Sequence, residues 1–259
     1  MGEERQLIMS SRQPPHIVIT MAGFGQRFRN AGYDLPKYRI DVHGRSLFFW
    51  SLSSLANFIR AGSPVLFIAR AADQCGTFLA AETLKLGIAE WSLLELDAPT
   101  DGQATTAFKA LPMISSEAPL LIYNIDTYVE PRALPFGAPH GDGWIPCFEG
   151  AGNGWSFARI TDADDRILEI REKQRISPHA TIGLYWFRSA ALYANLYQRF
   201  YGTSDRLEAG ERYIAPMYNQ LIAENGRVYM HPVPITAVHP LGTPDEVRQF
   251  ADDDQPPLP

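Results

Sequence analysis

Between His16 and Lys37 the chain reads HIVITMAGFGQRFRNAGYDLPK. Glycines at 23 and 25 let backbone N–H groups come close to the oxygens of an anion, and Arg27 and Lys37 bring fixed positive charge to the same short unit. That combination is suited to holding a phosphate group. Two common phosphate loops are excluded by residue type: a dinucleotide fingerprint needs a third glycine where Phe28 stands, and no Gly-Lys-Ser/Thr is present. What remains is a loop for a polyphosphate, with Ala22, Gly23 and Gly25 around it and Arg27 and Lys37 as clamps. The competing explanation is a tight turn whose cations are merely solvated. A second feature lies at Asp126, which ends the apolar run Leu121-Ile122-Tyr123-Asn124-Ile125. A carboxylate at the end of a buried strand is costly without a partner. Mg²⁺, which takes one or two carboxylates together with phosphate oxygens and water, is one such partner. A turn or helix-capping role is the other.

The elements that must position these groups alternate. Ile17, Val18 and Ile19 form a short β-branched run suited to a buried strand. Further strands are expected over Tyr38–His43, Pro64–Ala69, Trp91–Leu96 and Leu120–Ile125. Helices are expected from Ser46, a suitable N-cap, to about Phe58, over Ala71–Leu86, and from the loop at 97–106 to about Ile114. Alternating strands and helices predict an α/β fold, with a mostly parallel central sheet flanked by helices. In such sheets ligands gather at the carboxyl ends of strands, where Gly23, Gly102 and Asp126 all fall. Beyond residue 140 the pattern turns mixed and antiparallel. Strands are expected at Trp144–Phe148, Ser156–Ile160, Ile167–Glu172 and Thr181–Phe187, with an acidic hairpin turn at Thr161–Arg166. Helices follow at Ala191–Tyr201 and Glu211–Asn225, the latter stopped by Gly226 in left-handed conformation. A strand at Val228–Val233 and a helix from Thr243-Pro244 complete the reading. The domain expectation is a loose leader at 1–15, one domain at 16–250 whose nucleotide-binding half is 16–140 and acceptor-binding half 141–250, and a frayed tail at 251–259.

Composition excludes several classes. The net charge of −6 argues against a nucleic-acid partner, which would demand a basic surface. No apolar run is long enough to span a bilayer, and the polar N-terminus does not read as a signal peptide. A soluble cytoplasmic protein with no membrane partner is therefore expected. The two cysteines, Cys75 and Cys147, have neither metal nor redox spacing, and none of the six histidines forms a His-x-x-x-His pair. Without a Gly-x-Ser-x-Gly elbow, nothing supports covalent catalysis.

On these residues, MAGFGQRF followed by LPK resembles the N-terminal signature of the nucleoside-triphosphate sugar-1-phosphate nucleotidyltransferases, or sugar-nucleotide pyrophosphorylases. The resemblance implies a Rossmann-like nucleotide-diphospho-sugar transferase fold and spans roughly residues 16–250. It implies that the glycine loop wraps the triphosphate while Arg27 and Lys37 neutralise it, and that Asp126 holds Mg²⁺. Gly102-Gln103-Ala104 matches the nucleotide loop, making Gln103 the candidate for reading the base. Glu172-Lys173 is similar to the Glu-Lys that meets the sugar phosphate, and Gly183-Leu184-Tyr185 to the Gly-x-Tyr that follows. Glu211-Arg212-Tyr213 and Gly242-Thr243-Pro244-Asp245 echo later segments. One departure stands out. Relatives often place a second metal aspartate two residues before the late Gly-Thr, and here that residue is Pro240. A one-carboxylate site, or help from Asp245, would have to serve.

The reaction implied is Mg²⁺-dependent transfer of a nucleotidyl group from a nucleoside triphosphate to a sugar phosphate or similar phosphorylated acceptor. Pyrophosphate leaves, and the product suits surface-polysaccharide precursor synthesis. No appended acyltransferase-type repeat domain is expected. Two rivals are a glycosyltransferase using a nucleotide sugar, which would want Asp-x-Asp where Asn124-Ile125-Asp126 stands, and a non-catalytic nucleotide or sugar-phosphate sensor.

Overall fold

The structure is a computed structural model of the 259-residue chain and describes residues 13–161, 163–202, 207–208 and 210–254. Most of the expected leader and the end of the expected tail lie outside them. The chain enters through β1 (His16–Thr20) and passes by way of the glycine loop into the short helix α1 (Gln26–Asn30). A hairpin, β2 (Asp41–Val42) and β3 (Arg45–Ser46), precedes helices α2 (Leu47–Ser53) and α3 (Ala56–Arg60). Then come β4 (Val65–Arg70), α4 (Gly76–Lys85), β5 (Trp91–Leu96), α5 (Gln103–Lys109), β6 (Leu120–Asn124) and β7 (Thr127–Val129). The second half contributes β8 (Gly143–Glu149), β9 (Ser156–Ile160), β10 (Ile167–Glu172), β11 (His179–Thr181), β12 (Leu184–Phe187), α6 (Ala190–Tyr201) and α7 (Tyr218–Ala223). The last elements are β13 (Val228–Pro232), β14 (Val238–Pro240) and α8 (Pro244–Asp252).

One ten-stranded sheet in the order β10-β9-β11-β8-β12-β6-β1-β4-β5, with β13 against β8, runs through both halves. The N-terminal half of the sheet is parallel: β1 pairs β4 and β6, and β4 pairs β5. The polarity changes at β12, which runs antiparallel to both β6 and β8, and β8 to β11 continue that way. The central strands β1, β4 and β6 are buried on both faces, as an α/β sheet requires, and the edge strand β5 is half-buried. Ile17 and Ile19 enter one apolar cluster while Val18 enters the other, the period-two alternation of a pleated strand. A third cluster sits away from the sheet and joins Phe28 of α1, Trp50 of α2, Tyr128 of β7 and Val247 and Phe250 of α8. It ties the glycine-loop helix, the strand after Asp126 and the C-terminal helix into one block.

Ser46 does cap the helix after it, its hydroxyl accepting from the Phe49 amide at 3.0 Å. Several boundaries differ from expectation. Tyr38–His43 is a 3₁₀ turn at Lys37–Arg39 followed by the two-residue β2, because Tyr38 turns inward to be buried. The helix expected to Phe58 breaks between Ser53 and Ala56, and that expected from Ala71 starts as a 3₁₀ turn, with the α-helix beginning only at Gly76. Thr181–Phe187 is two strands separated at Gly183. Glu211–Asn225 is helical only from Ala215, and Asn225, at φ 64°, makes the left-handed stop in place of Gly226. The final helix runs to Asp252, two residues into the expected tail. No helix among the described residues is long and apolar enough to cross a membrane.

Candidate active site

A cleft of about 630 Å³ opens over the carboxyl ends of β1 and β6 and brings together most of the residues singled out by sequence: Ala22, Gly23, Gly25, Arg27, Lys37, Gln103 and Asp126 all line it. Gly25 adopts φ 61°, a left-handed conformation that favours glycine, and starts α1, its carbonyl accepting from the Phe28 and Arg29 amides. Phe28, which excluded a dinucleotide loop, is buried in the third cluster with its ring edge-on to Tyr33. The loop is thus anchored from behind by a large apolar side chain. Around Gly23 nothing lies within 4 Å of where a Cβ would sit, so its backbone is open to a ligand. Arg27 is exposed at the rim and makes no ion pair among the described residues.

Lys37 opens the 3₁₀ turn after Pro36 and pairs its ammonium with the Asp126 carboxylate. Asp126 lies between β6 and β7, and its carbonyl accepts from the Leu241 amide at 2.7 Å. Its side chain is 39% exposed and that of Lys37 is 18% exposed, so the pair faces the cleft but is partly shielded from water. This pairing satisfies the carboxylate in the absence of ligands. It also means that a triphosphate would compete with Asp126 for Lys37.

Gln103 begins α5 and donates from Nε2 to the Thr20 hydroxyl at 3.1 Å. Before it, Gly102 sits so close to Arg212 that a Cβ would fall 2.5 Å from the Arg212 backbone N and O. The Arg212 carbonyl accepts from the Ala104 amide at 2.9 Å, and its own amide donates to the Asp101 carbonyl at 2.8 Å. The segment carrying Glu211 and Tyr213 is thereby clamped onto the nucleotide loop, and both residues line the cleft. The sequence marks Glu211-Arg212-Tyr213 only as an echo of a later family segment, and no spacing within it assigns Tyr213 a task.

The acceptor candidates are arranged less directly. Glu172 ends β10 and accepts from the Ser156 hydroxyl; burial pushes its carboxyl above the usual carboxylate range. Lys173 leaves the strand at φ 53°, so the side-chain alternation of β10 ends at Glu172. The Lys173 ammonium donates to the Tyr213 hydroxyl at 2.6 Å and lies 4.8 Å from the ring centre. Burial pulls that ammonium's pKa down, but Tyr213 and then Glu172 outweigh it, and the net shift is upward. Neither Glu172 nor Lys173 lines the cleft itself; Lys173 reaches it through Tyr213. Gly183 stands against the Asn124 side chain beneath the cleft, where its carbonyl accepts from the Asn124 amide at 3.2 Å. Asn124 Oδ1 is buried there without a hydrogen-bond partner among the described residues.

Hard oxygen donors at a phosphate loop suit Mg²⁺ better than a transition metal. Asp126 meets that requirement, and a second carboxylate, Glu246, faces it across Gly242. Among the described residues no group of three or more His, Cys, Asp or Glu side chains is placed to bind a metal ion by itself. Any divalent ion here must share its shell with phosphate oxygens and water.

A glycine loop with Arg27 and the Asp126-paired Lys37 at parallel strand ends is the frame of an α/β nucleotidyltransferase. No protein-family model matches the sequence, nor does any curated protein. Solved structures do. A nucleoside-diphosphate-sugar pyrophosphorylase from Vibrio cholerae RC9 is 34% identical over 92% of this chain and all of its own, with a TM-score of 0.84. The chain belongs to the nucleoside-diphosphate-sugar pyrophosphorylase family. Two more distant structures share the fold: the inositol-1-phosphate CTP transferase of T. maritima, at 16% identity and TM-score 0.72 over 91% of this chain and 93% of its own, and a Bacillus anthracis protein described as a glucose-1-phosphate thymidylyltransferase, at 14% and 0.69 over 94% and 98%.

Proposed function

We propose that this chain transfers a nucleotidyl group from a nucleoside triphosphate to a sugar phosphate in a Mg²⁺-dependent reaction. The observation that carries the proposal is the meeting of the open glycine loop, Arg27, Lys37 and Asp126 in one cleft at the ends of β1 and β6. An acceptor phosphate oxygen attacks the α-phosphorus in line. The new P–O bond forms as the bond to the β-phosphate oxygen breaks, and pyrophosphate carries away the charge. Such chemistry asks the protein mainly for positioning and charge neutralisation.

Each residue has a distinct task in this scheme. Backbone N–H groups at Ala22, Gly23 and Gly25 hold the triphosphate. Arg27, unpaired at the rim, offsets charge on the departing pyrophosphate. Lys37 exchanges Asp126 for the α-phosphate and the acceptor phosphate, which fixes the angle of attack. Gln103, held by Thr20, faces the base. Residues 141–250 present the acceptor, with Lys173 and Tyr213 as its phosphate and hydroxyl contacts, Glu172 orienting them and Gly183 supporting the floor. Asp126 would hold the divalent ion, which when bound neutralises charge on the reacting phosphates. The product, a nucleotide-activated sugar, is the class of compound consumed in surface-polysaccharide assembly.

The test is pyrophosphate release from each of the common triphosphates against a panel of sugar and non-sugar phosphates, with and without Mg²⁺. Release that needs triphosphate, acceptor and Mg²⁺ supports the proposal. Consumption of a nucleotide sugar in place of a triphosphate would assign the glycosyltransferase instead, and binding without turnover the sensor.

A further inference from the structure

Pro240 stands where the resemblance places a second metal aspartate, and the fold puts that position beside the first. β14 pairs with β7 so that Pro240 lies opposite Thr127, and the next amide, of Leu241, donates to the Asp126 carbonyl. The location is therefore the expected one, but it carries no acid. Asp245, the nearest substitute in sequence, points elsewhere. Its side chain is 86% exposed and is paired with Arg248 on its own helix.

Glu246, one residue further along, is different. A Cβ on Gly242 would lie 3.5 Å from Glu246 Oε2 and 3.7 Å from Asp126 Oδ2, so oxygens of both carboxylates flank one point. Lys37 takes the other Asp126 oxygen, Oδ1, and leaves Oδ2 on the side of Glu246. The Glu246 carboxylate makes no hydrogen bond or ion pair among the described residues, and its backbone amide is occupied by the Thr243 cap. Both acids are partly buried, and two like charges facing one small volume repel unless a cation shares them. Gly242 keeps that volume free of side chain, and the helix bearing Glu246 is locked to β7 through Tyr128, Val247 and Phe250 of the third cluster.

We infer that Glu246 supplies the second carboxylate of the cation site, taking over from the aspartate that Pro240 replaces. The inference rests on the nucleotidyltransferase reading and concerns which of this chain's acids hold the ion. One other explanation of Glu246 can be separated by chemistry. Thr243-Pro244-Asp245-Glu246 has the form of a helix capping box, a role that Gln fills as well as Glu. Glu246→Gln therefore keeps the cap and removes the charge.

The experiment measures Mn²⁺ binding by electron paramagnetic resonance, with inorganic tripolyphosphate as the base-free triphosphate probe, on the wild type and on Glu246→Gln, Asp245→Asn and Asp126→Asn. Tripolyphosphate binding without divalent ions and thermal unfolding serve as checks on the loop and the fold, and both should be unchanged in Glu246→Gln. Expected are a loss of Mn²⁺ affinity of roughly tenfold or more in Glu246→Gln, a larger loss in Asp126→Asn, and none in Asp245→Asn. Wild-type affinity in Glu246→Gln together with loss in Asp126→Asn overturns the role of Glu246 and leaves the role of Asp126 standing. Unchanged Mn²⁺ binding in both variants, or none in the wild type, overturns the inference and the metal role of Asp126 together.

Discussion

On the nucleotide side of the cleft each candidate residue leaves a buried strand end or a turn pinned from behind, as Gly25 is by Phe28 and Asp126 by the pairing of β7 with β14. On the acceptor side Lys173 and Tyr213 meet outside the sheet through one side-chain hydrogen bond and one ring contact, their backbones held by the Trp155 carbonyl and the Tyr201 hydroxyl. In the proposed function the first wall faces the triphosphate, a part common to every nucleotide substrate, and its geometry is fixed by the core. The second would face the part that differs between acceptors, and its side-chain contacts lie outside the sheet. If this contrast is functional, substitutions on the first wall should cost rate or fold, and those on the second should mainly shift acceptor affinity.

The largest effect should come from Lys37→Ala and Asp126→Ala. Each removes a charge placed at the reacting phosphates, and turnover should fall by at least roughly 10²–10³-fold, the scale of losing one preorganised charge-stabilising group. Circular dichroism should show an unchanged fold. Near-normal turnover in either variant would remove the nucleotidyltransferase assignment. Next is Phe28→Ala, which empties a fully buried aromatic site behind the glycine loop. It should cost about 3–5 kcal/mol of stability in denaturant unfolding. Triphosphate affinity should weaken as well. A folded variant with normal triphosphate binding would show that the loop does not need its anchor.

On the second wall, Lys173→Ala should raise KM for the acceptor phosphate by roughly tenfold while kcat changes little, the signature of binding shared by ground and transition states. Tyr213→Phe, which keeps the ring and loses the hydroxyl bonded to Lys173, should produce a smaller change in the same direction. An effect of either on kcat comparable to that of Lys37→Ala would erase the distinction between the two walls.

The same contrast explains what could be read from sequence. The triphosphate side was legible because strand, glycine spacing, cations and strand-end aspartate each leave a local mark, and all of Gly23, Gly25, Arg27, Lys37 and Asp126 fall in one cleft. The parallel half of the sheet was legible for a similar reason, since its strands are continuous apolar runs. The contact of Arg212 with Gly102 joins residues more than a hundred positions apart, and no spacing announces it. Glu246 was hidden by its neighbour: Asp245 and Glu246 are equally acidic in the sequence, and only the helix phase of α8 turns one to water and the other toward Asp126. The helix expected over Glu211–Asn225 failed because its first residues are used to cover the nucleotide loop.

The smallest effect lies in the scaffold behind the walls. Burial lowers the imidazole pKa of His16 on β1, His231 on β13 and His239 on β14 below the usual 6.5; it is opposed at His16 by Glu90, at His231 by the Ala133 carbonyl and at His239 by Glu130 and Asp253. The unfolded chain takes up protons as pH falls through 6.5, while the native protein resists until the lower folded values are reached. Stability is therefore complete above 6.5 and declines below it. Glu172 acts with the opposite sign: its raised carboxyl is neutral in the native state over a range where the unfolded chain is ionised, so its contribution is lost as pH rises through its folded value. In a Glu172→Gln background the histidine effect is seen alone. Thermal midpoints measured from about pH 7.5 to about 5.5, a range that brackets the ordinary histidine value, should then fall steadily, and His239→Phe should shallow the fall by about as much as His16→Phe. A flat profile in that background would show that the imidazoles take up protons as readily in the fold as in the unfolded chain. A loss confined to one histidine would mean that burial alone does not set the imidazole shift.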